Sequence, residues 1–260
     1  MTTLLLHGFA GSSQSWGDRI IDGLASVVGP PLLLDLPGHG RNGGDVAPWR
    51  FTFDAVEAEI TALAREEPLD LVGYSMGGRL ALAYAVRNPG RVGRLVLESA
   101  SPGLETEEER AARRESDEAL ARRIEKDGVE AFADHWESLP LFESQRGLPP
   151  EVRAVHRAGR LRNHPASLAA SLRGLGTGAL PSYWGSLAGL RVPALILVGG
   201  RDRKFEEIGA RMAGLLSDAR LAEVPGAGHT VHLEWPDAWL DAVTGFLSRG
   251  GRHIRSTIFP

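Results

Sequence analysis

The chain has 260 residues, of which 43% are hydrophobic and 24% charged, with a formal net charge of -4 and no cysteine. That length suits a single domain with a full core, and the acidic balance gives no reason to expect nucleic-acid binding. Without cysteine there is no disulfide and no thiolate metal site, which fits a reducing compartment, and no apolar run approaches the roughly 18 residues of a membrane span.

In chain order, Leu4-Leu5-Leu6 reads as a buried strand running into the turn His7-Gly8-Phe9. Met1 leads straight into it with no basic leader, so no signal peptide and a cytoplasmic location are expected. His7 reads better as a buried histidine bonded to loop backbone than as a second catalytic base. Leu32-Leu33-Leu34 is the next strand, closed by Asp35-Leu36-Pro37-Gly38-His39-Gly40, whose turn residues and Asp35 order the sheet edge. The apolar run Leu69-Asp70-Leu71-Val72 then enters Gly73-Tyr74-Ser75-Met76-Gly77, and a helix-forming stretch over 78–87 ends at Asn88-Pro89-Gly90. Strand, tight turn and helix are the context of a nucleophile elbow, which throws its serine out at the C-terminal edge of a sheet in a strained conformation. Glycines two before and two after Ser75 allow the close packing such a bend needs.

Residues 95–97 form a further strand, and the segment from Ser101 to about Leu190 changes character. It is charged, helix-rich and punctuated by Pro140, Pro149, Pro150, Pro165 and Pro181. Over 105–126, Glu and Arg recur at i,i+3 and i,i+4 spacings, mostly the mark of a solvated helix whose surface pairs contribute a few tenths of a kcal/mol each. Two more strands follow, at 194–198 and 220–224. The first leads into Gly199-Gly200-Arg201-Asp202 and the second into Pro225-Gly226-Ala227-Gly228-His229. The tail from Arg249 to Arg255 shows no apolar periodicity and is expected to be mobile.

Ser75, Asp202 and His229 thus each follow a strand, in the chain order of a serine–acid–histidine triad. His229 would take the serine proton, while Asp202 fixes the imidazole tautomer and stabilises its charged form. The plain alternative is that Asp202 caps a helix and His229 is a loop histidine. His232, flanked by Val231 and Leu233, reads as structural. The backbone amides of Phe9 and Met76 are the candidate oxyanion donors.

On these residues the chain resembles the α/β-hydrolase fold. Near-continuous apolar strands alternating with helices imply a mostly parallel sheet of about six strands, covered on both faces. The expected division is a core of 1–100 and 191–248, a helical cap at 101–190 and a tail at 249–260. One feature departs from the family pattern, which places an antiparallel pair of strands before the His-Gly turn. Only Met1-Thr2-Thr3 precede it here, so either the sheet is a six-stranded version or the start was placed late.

Several cap segments carry a narrower resemblance. These are Ser101-Pro102-Gly103-Leu104 with Glu107 to Arg114 and Ser116-Asp117, Trp136-Glu137-Ser138-Leu139-Pro140-Leu141-Phe142, Leu161-Arg162-Asn163, and Ser171-Leu172-Arg173-Gly174 with Gly176-Thr177-Gly178. With Gly73 to Arg79 and Asp202-Arg203-Lys204-Phe205, they resemble the 2-succinyl-6-hydroxy-2,4-cyclohexadiene-1-carboxylate synthases of menaquinone biosynthesis. The resemblance implies a carbon–oxygen lyase that eliminates pyruvate from a cyclohexene tricarboxylate, with Ser75 as general base rather than nucleophile and with no metal or cofactor.

It also implies fixed cations, since guanidinium forks match carboxylates with paired hydrogen bonds. Arg79 lies one helical turn beyond Ser75, and helical side chains lean back toward the N-terminus. By motif match Arg113 and Arg162 supply the cap's share, with Arg114 the neighbouring candidate and Arg173 less well placed. Lys204 would hold a carboxylate near the mouth, and Tyr74, Trp136 and Phe142 would form apolar walls. The expected partner is that small tricarboxylate, with no nucleic acid and no membrane insertion, and the protein a monomer or weak homo-oligomer. Two rival readings share the chain: a carboxylesterase or C–C hydrolase using Ser75 covalently, and a non-catalytic protein on this fold. The second predicts a lost triad residue or a blocked elbow, and the sequence has neither.

Overall fold

In a computed structural model that describes residues 1–64 and 67–248, each of the six apolar runs forms a strand, and the strands pair in parallel throughout. In chain order the elements are β1 (Thr2–Leu6), α1 (Gly17–Val28), β2 (Leu32–Leu34), α2 (Phe53–Ala64), β3 (Leu69–Tyr74), α3 (Met76–Arg87) and β4 (Val92–Glu98). Then come α4 (Glu107–Ser138), α5 (Pro150–Leu161), α6 (Pro165–Leu175), β5 (Ala194–Gly199), α7 (Arg203–Leu215), β6 (Ala219–Val224), the single turn α8 (Val231–Glu234) and α9 (Pro236–Leu247). The sheet order is β2-β1-β3-β4-β5-β6. The expectation for 249–260 falls outside the described residues.

The period-2 geometry of a strand sends successive side chains to opposite faces. Leu4, Leu6, Leu71, Leu95, Leu97 and Ile196 meet Val56 and Ile60 of α2, Leu80 and Tyr84 of α3 and Met212 of α7 in one cluster. Leu5, Val72, Val96, Leu195 and Leu197 face the other way, onto Ile20 and Leu24 of α1 and Trp239 and Val243 of α9. Because both faces are covered, the central strands carry few polar side chains. Each such fully buried side chain contributes roughly 1.5–3 kcal/mol, so the two layers hold the strand ends, and the loops on them, in place.

The helical insertion between β4 and β5 begins with a capping box. Thr106 Oγ1 accepts the Glu109 N–H at 3.1 Å while Glu109 accepts the Thr106 N–H at 3.0 Å. α4 is broken at Gly128, whose φ of 83° lies in the left-handed region, so the chain turns there without a Cβ penalty. Ala121, Ile124, Phe132, Leu168 and Leu172 bury one another and Ala10, which seats the insertion on the loop after β1. Among the described residues no helix is long and apolar enough to cross a membrane.

Candidate active site

Ser75 occupies the sharp turn between β3 and α3 with φ 50° and ψ -109°, a strained conformation for a residue with a side chain. The bend is held by its own amide, which donates to Glu98 O at 2.8 Å, and by close approach at the glycines. A Cβ on Gly77 would stand 2.1 Å from Leu6 O, and one on Gly73 2.5 Å from Gly77 O. Only a backbone bare at both positions lets α3 start this close to β1 and to β3.

His229, 2% exposed, presents Nε2 to Ser75 Oγ at 3.0 Å and Nδ1 to Asp202 Oδ2 at 2.6 Å. A carboxylate only accepts, so Nδ1 carries the proton and donates to Asp202, which leaves Nε2 free to accept from the serine hydroxyl. Asp202 stands at the N-cap position of α7 but makes no side-chain cap bond; its carboxylate is turned to the histidine. The His229 loop is anchored by Thr230, whose hydroxyl pairs with Tyr74 OH at 2.7 Å and accepts Gln145 Nε2–H at 2.9 Å. Burial raises the Tyr74 phenol far above its ordinary range, so it stays neutral. On the other side of the site, the amides of Phe9 and Met76 follow β1 and open α3, and neither is matched to a protein acceptor among the described residues.

His7 is 1% exposed, accepts the Leu36 N–H on Nε2 at 3.0 Å, and therefore donates Nδ1–H to Gly8 O at 2.8 Å. Burial lowers its pKa, and as a neutral ring it props up the loop behind Phe9. Asp35 accepts the amides of Ser13 and Arg41 at 2.6 and 3.0 Å. His232 donates Nδ1–H to Glu98 at 2.9 Å. Glu98, 0% exposed, also accepts the His232 amide and Trp239 Nε1–H, tying the end of β4 to the loop that carries His229. Sequence reading passed over Glu98; an acid ending an otherwise apolar strand is the signal that could have found it.

The triad opens into a cavity of ≈ 520 Å³ between sheet edge and insertion, which Phe9, Tyr74, Ser75, Met76 and His229 line from the core. Trp136 and Phe142 line it from the insertion, their rings 5.7 Å apart, with Phe9 5.4 Å from Trp136 and Phe205 4.6 Å from His229. Arg79, Arg113 and Lys204 supply cations to the same space. Arg79 is 7% exposed; one terminal nitrogen donates to Leu175 O at 3.1 Å, and its Nε has no protein partner. Burial and then the neighbouring Arg113 charge bring its pKa down to about 10, so the guanidinium stays charged near neutrality. Arg211, not anticipated from the sequence, also reaches the mouth, stacked 3.9 Å over Trp184 and paired with Glu105 at 2.8 Å.

Three arginines of the insertion are placed elsewhere. Arg114 points its guanidinium at Gly178 O, 3.0 Å away, and at Glu107, and Arg173 is occupied by Glu118 and Glu125. Arg162 departs from the sequence expectation: it is exposed at the C-cap of α5, donates to Gln14 Oε1, and does not line the cavity. The nearby Arg160 is buried, 5% exposed, paired with Glu137 at 2.8 Å and lying 5.8 Å from the Phe142 ring, but it does not line the cavity either.

A parallel sheet with helices on both faces, and a strained serine at its C-terminal edge joined to histidine and aspartate, define an α/β hydrolase fold protein, and residues 4–236 match that family. Two curated relatives narrow this. A Bacillus subtilis (strain 168) protein, provisionally named a 2-succinyl-6-hydroxy-2,4-cyclohexadiene-1-carboxylate synthase, is 42% identical over 94% of this chain and 89% of its own length. The Serratia proteamaculans (strain 568) synthase of that name is 33% identical over 95% of this chain and 92% of its own. Among solved structures, MenH from S. aureus superposes with a TM-score of 0.87 at 35% identity, covering 95% of this chain and 93% of that one. The chain therefore belongs to the 2-succinyl-6-hydroxy-2,4-cyclohexadiene-1-carboxylate synthase family.

Proposed function

We propose that this protein is a lyase of menaquinone biosynthesis. It eliminates pyruvate from 2-succinyl-5-enolpyruvyl-6-hydroxy-3-cyclohexene-1-carboxylate to give 2-succinyl-6-hydroxy-2,4-cyclohexadiene-1-carboxylate. The observation that carries the reading is a triad opening onto a half-closed cationic cavity. The 3.0 and 2.6 Å bonds of Ser75, His229 and Asp202 meet a space lined by Arg79, Arg113 and Lys204. An esterase pocket for apolar acyl groups has no use for a buried arginine with an unpartnered Nε; a tricarboxylate does.

The reaction removes the ring proton at C2, α to the succinyl ketone, so the carbanion formed is an enolate. A neutral serine is a feeble base. Ser75 Oγ therefore gives its own proton to His229 Nε2 as it takes the substrate's, and Asp202 stabilises the resulting imidazolium. Charge then collects on the ketone oxygen, where the amides of Phe9 and Met76 are the proposed donors. Collapse of the enolate forms the conjugated diene and breaks the C–O bond at C5, and the departing pyruvate enolate takes up a proton. No water is consumed, no acyl-enzyme forms, and no cofactor is called for. Arg79, Arg113 and Lys204 hold the three carboxylates, and Tyr74, Trp136 and Phe142 wall off the ring. The chain would work in the cytoplasm, as a monomer or weak homo-oligomer, with 101–190 acting as the cap over the site.

The test is pyruvate release from substrate generated in situ, read through lactate dehydrogenase. Ser75→Ala should lower it by about a thousandfold or more, to the spontaneous background. A wild-type rate no higher than that background would sink the synthase reading and put the covalent hydrolase reading first.

A further inference from the structure

The mechanism uses the guanidinium groups of Arg79 and Arg113 but not the carboxylate that accompanies them. Asp117 lies one turn beyond Arg113 on α4 and is 5% exposed. Its Oδ1 accepts Arg113 Nε–H at 2.7 Å, while Oδ2 is buried with no protein partner. Other acids on α4 behave differently: Glu107 is exposed and Glu118 only half-buried, and at such sites pairing with arginine is worth little. A buried carboxylate with an empty oxygen is costly, and the fold goes out of its way to keep this one. At position 176 a Cβ would lie 2.6 Å from Asp117 Oδ2 and 2.3 Å from Leu172 O, so the glycine there leaves the carboxylate its place.

The contact also has a direction. Asp117 takes the Nε flank of Arg113, and the terminal nitrogens of that guanidinium have no protein partner among the described residues, although Arg113 lines the cavity. Held by Nε, the fork presents its free edge. Two like charges, on Arg79 and Arg113, face the same space before any ligand arrives, and the Asp117 charge opposes that repulsion. We infer that Asp117 is a positioning residue for carboxylate recognition: it fixes Arg113 by Nε so that the Nη edge meets a substrate carboxylate, and it steadies the Arg79–Arg113 pair in the free enzyme. The inference deepens the synthase reading and rests on it.

A double-mutant cycle tests it. Asp117→Ala should raise KM for the enolpyruvyl substrate at least about fivefold and change kcat less than about threefold. Asp117→Asn, which keeps an acceptor for Nε but loses the charge, should fall between it and the wild type. In an Arg113→Ala background the Asp117 substitution should change KM less than about twofold, because its effect passes through Arg113. If Asp117→Ala does not fold, as its melting curve would reveal, Asp117→Asn carries the cycle. An equal KM rise in both backgrounds, or none in either, would overturn the inference. The same cycle read by calorimetry on benzene-1,3,5-tricarboxylate separates the two ideas. Coupled tricarboxylate binding without pyruvate release refutes the synthase reading and leaves Asp117 its role; pyruvate release without coupling refutes the role alone.

Discussion

In the proposed reaction, Arg79 is the residue on which substrate class turns. It sits one helical turn past Ser75, buried, with its Nε unpartnered and one terminal nitrogen committed to Leu175 O. Removing it should cut turnover of the tricarboxylate by orders of magnitude, since a carboxylate left without its cation in a half-closed site faces the full desolvation penalty. Arg79→Ala should leave hydrolysis of a simple ester such as p-nitrophenyl acetate little changed, because that reaction needs only the triad. Equal losses on both substrates would make Arg79 a structural residue. The position was legible because an elbow fixes the register of the helix that follows it. Arg113 and Arg114 could not be separated in the same way: neighbours on a helix point about 100° apart, and only the packing of α4 decides which one turns inward. Here Gly178 O and Glu107 take Arg114, and the cavity receives Arg113. Arg162 lay beyond what a motif can fix, since its direction follows from a tertiary contact with Gln14.

At the scale of elements, the elbow shows how little freedom the site has. Gly77 stands where β1 and α3 nearly touch, and the atom that an added Cβ would meet is backbone, Leu6 O at 2.1 Å. Backbone cannot swing aside as a side chain can, so Gly77→Ala must push α3 away from β1 and move both Ser75 and the Met76 amide. The expected cost is more than about 2 kcal/mol by urea unfolding, with loss of pyruvate release even in the fraction that remains folded. A variant of wild-type stability and activity would show that the helix start has slack. The strands themselves were readable because burial on both faces leaves a nearly unbroken apolar run. Their ends were less so: β4 extends over Val92–Glu98, paired along that length with β3, and its polar residues are met by tertiary bonds, Arg94 to Asp70 at 3.1 Å and Glu98 to the His232 loop. Periodicity registers neither of these tertiary bonds. Nor could it place the turn at Gly128, where charged helix continues on both sides of the break.

Across the whole molecule, three histidines away from the triad are kept neutral by their surroundings, and this ties folding to pH. Burial brings His39 down to about 3, helped by the charge His7 would carry and opposed by Asp35 and by hydrogen bonds to the Leu36 and Pro37 backbone. Burial brings His156 to about 3 as well, with Arg160 and His232 adding to the effect, and lowers His7. In the unfolded chain each titrates near the ordinary histidine value of about 6.5. Between that value and the depressed folded one the unfolded state binds more protons, so stability rises with pH. The contribution is fully present above about pH 6.5 and is lost progressively as the pH falls, at a slope approaching about 1.4 kcal/mol per pH unit for each histidine. Glu59 and Asp70, whose pKa values burial raises, act in the opposite sense. The share of one histidine between about pH 6.5 and 5 is therefore read from the difference between the wild type and a variant that lacks it. Urea midpoints should fall steadily across it in the wild type. In His39→Gln, whatever its stability at pH 7.5, the same curve should be shallower by close to one proton. An unchanged slope in that variant would mean that His39 takes up its proton in the folded protein, and that the packing of His7, His39 and Phe9 in the loop after β1 tolerates a charge.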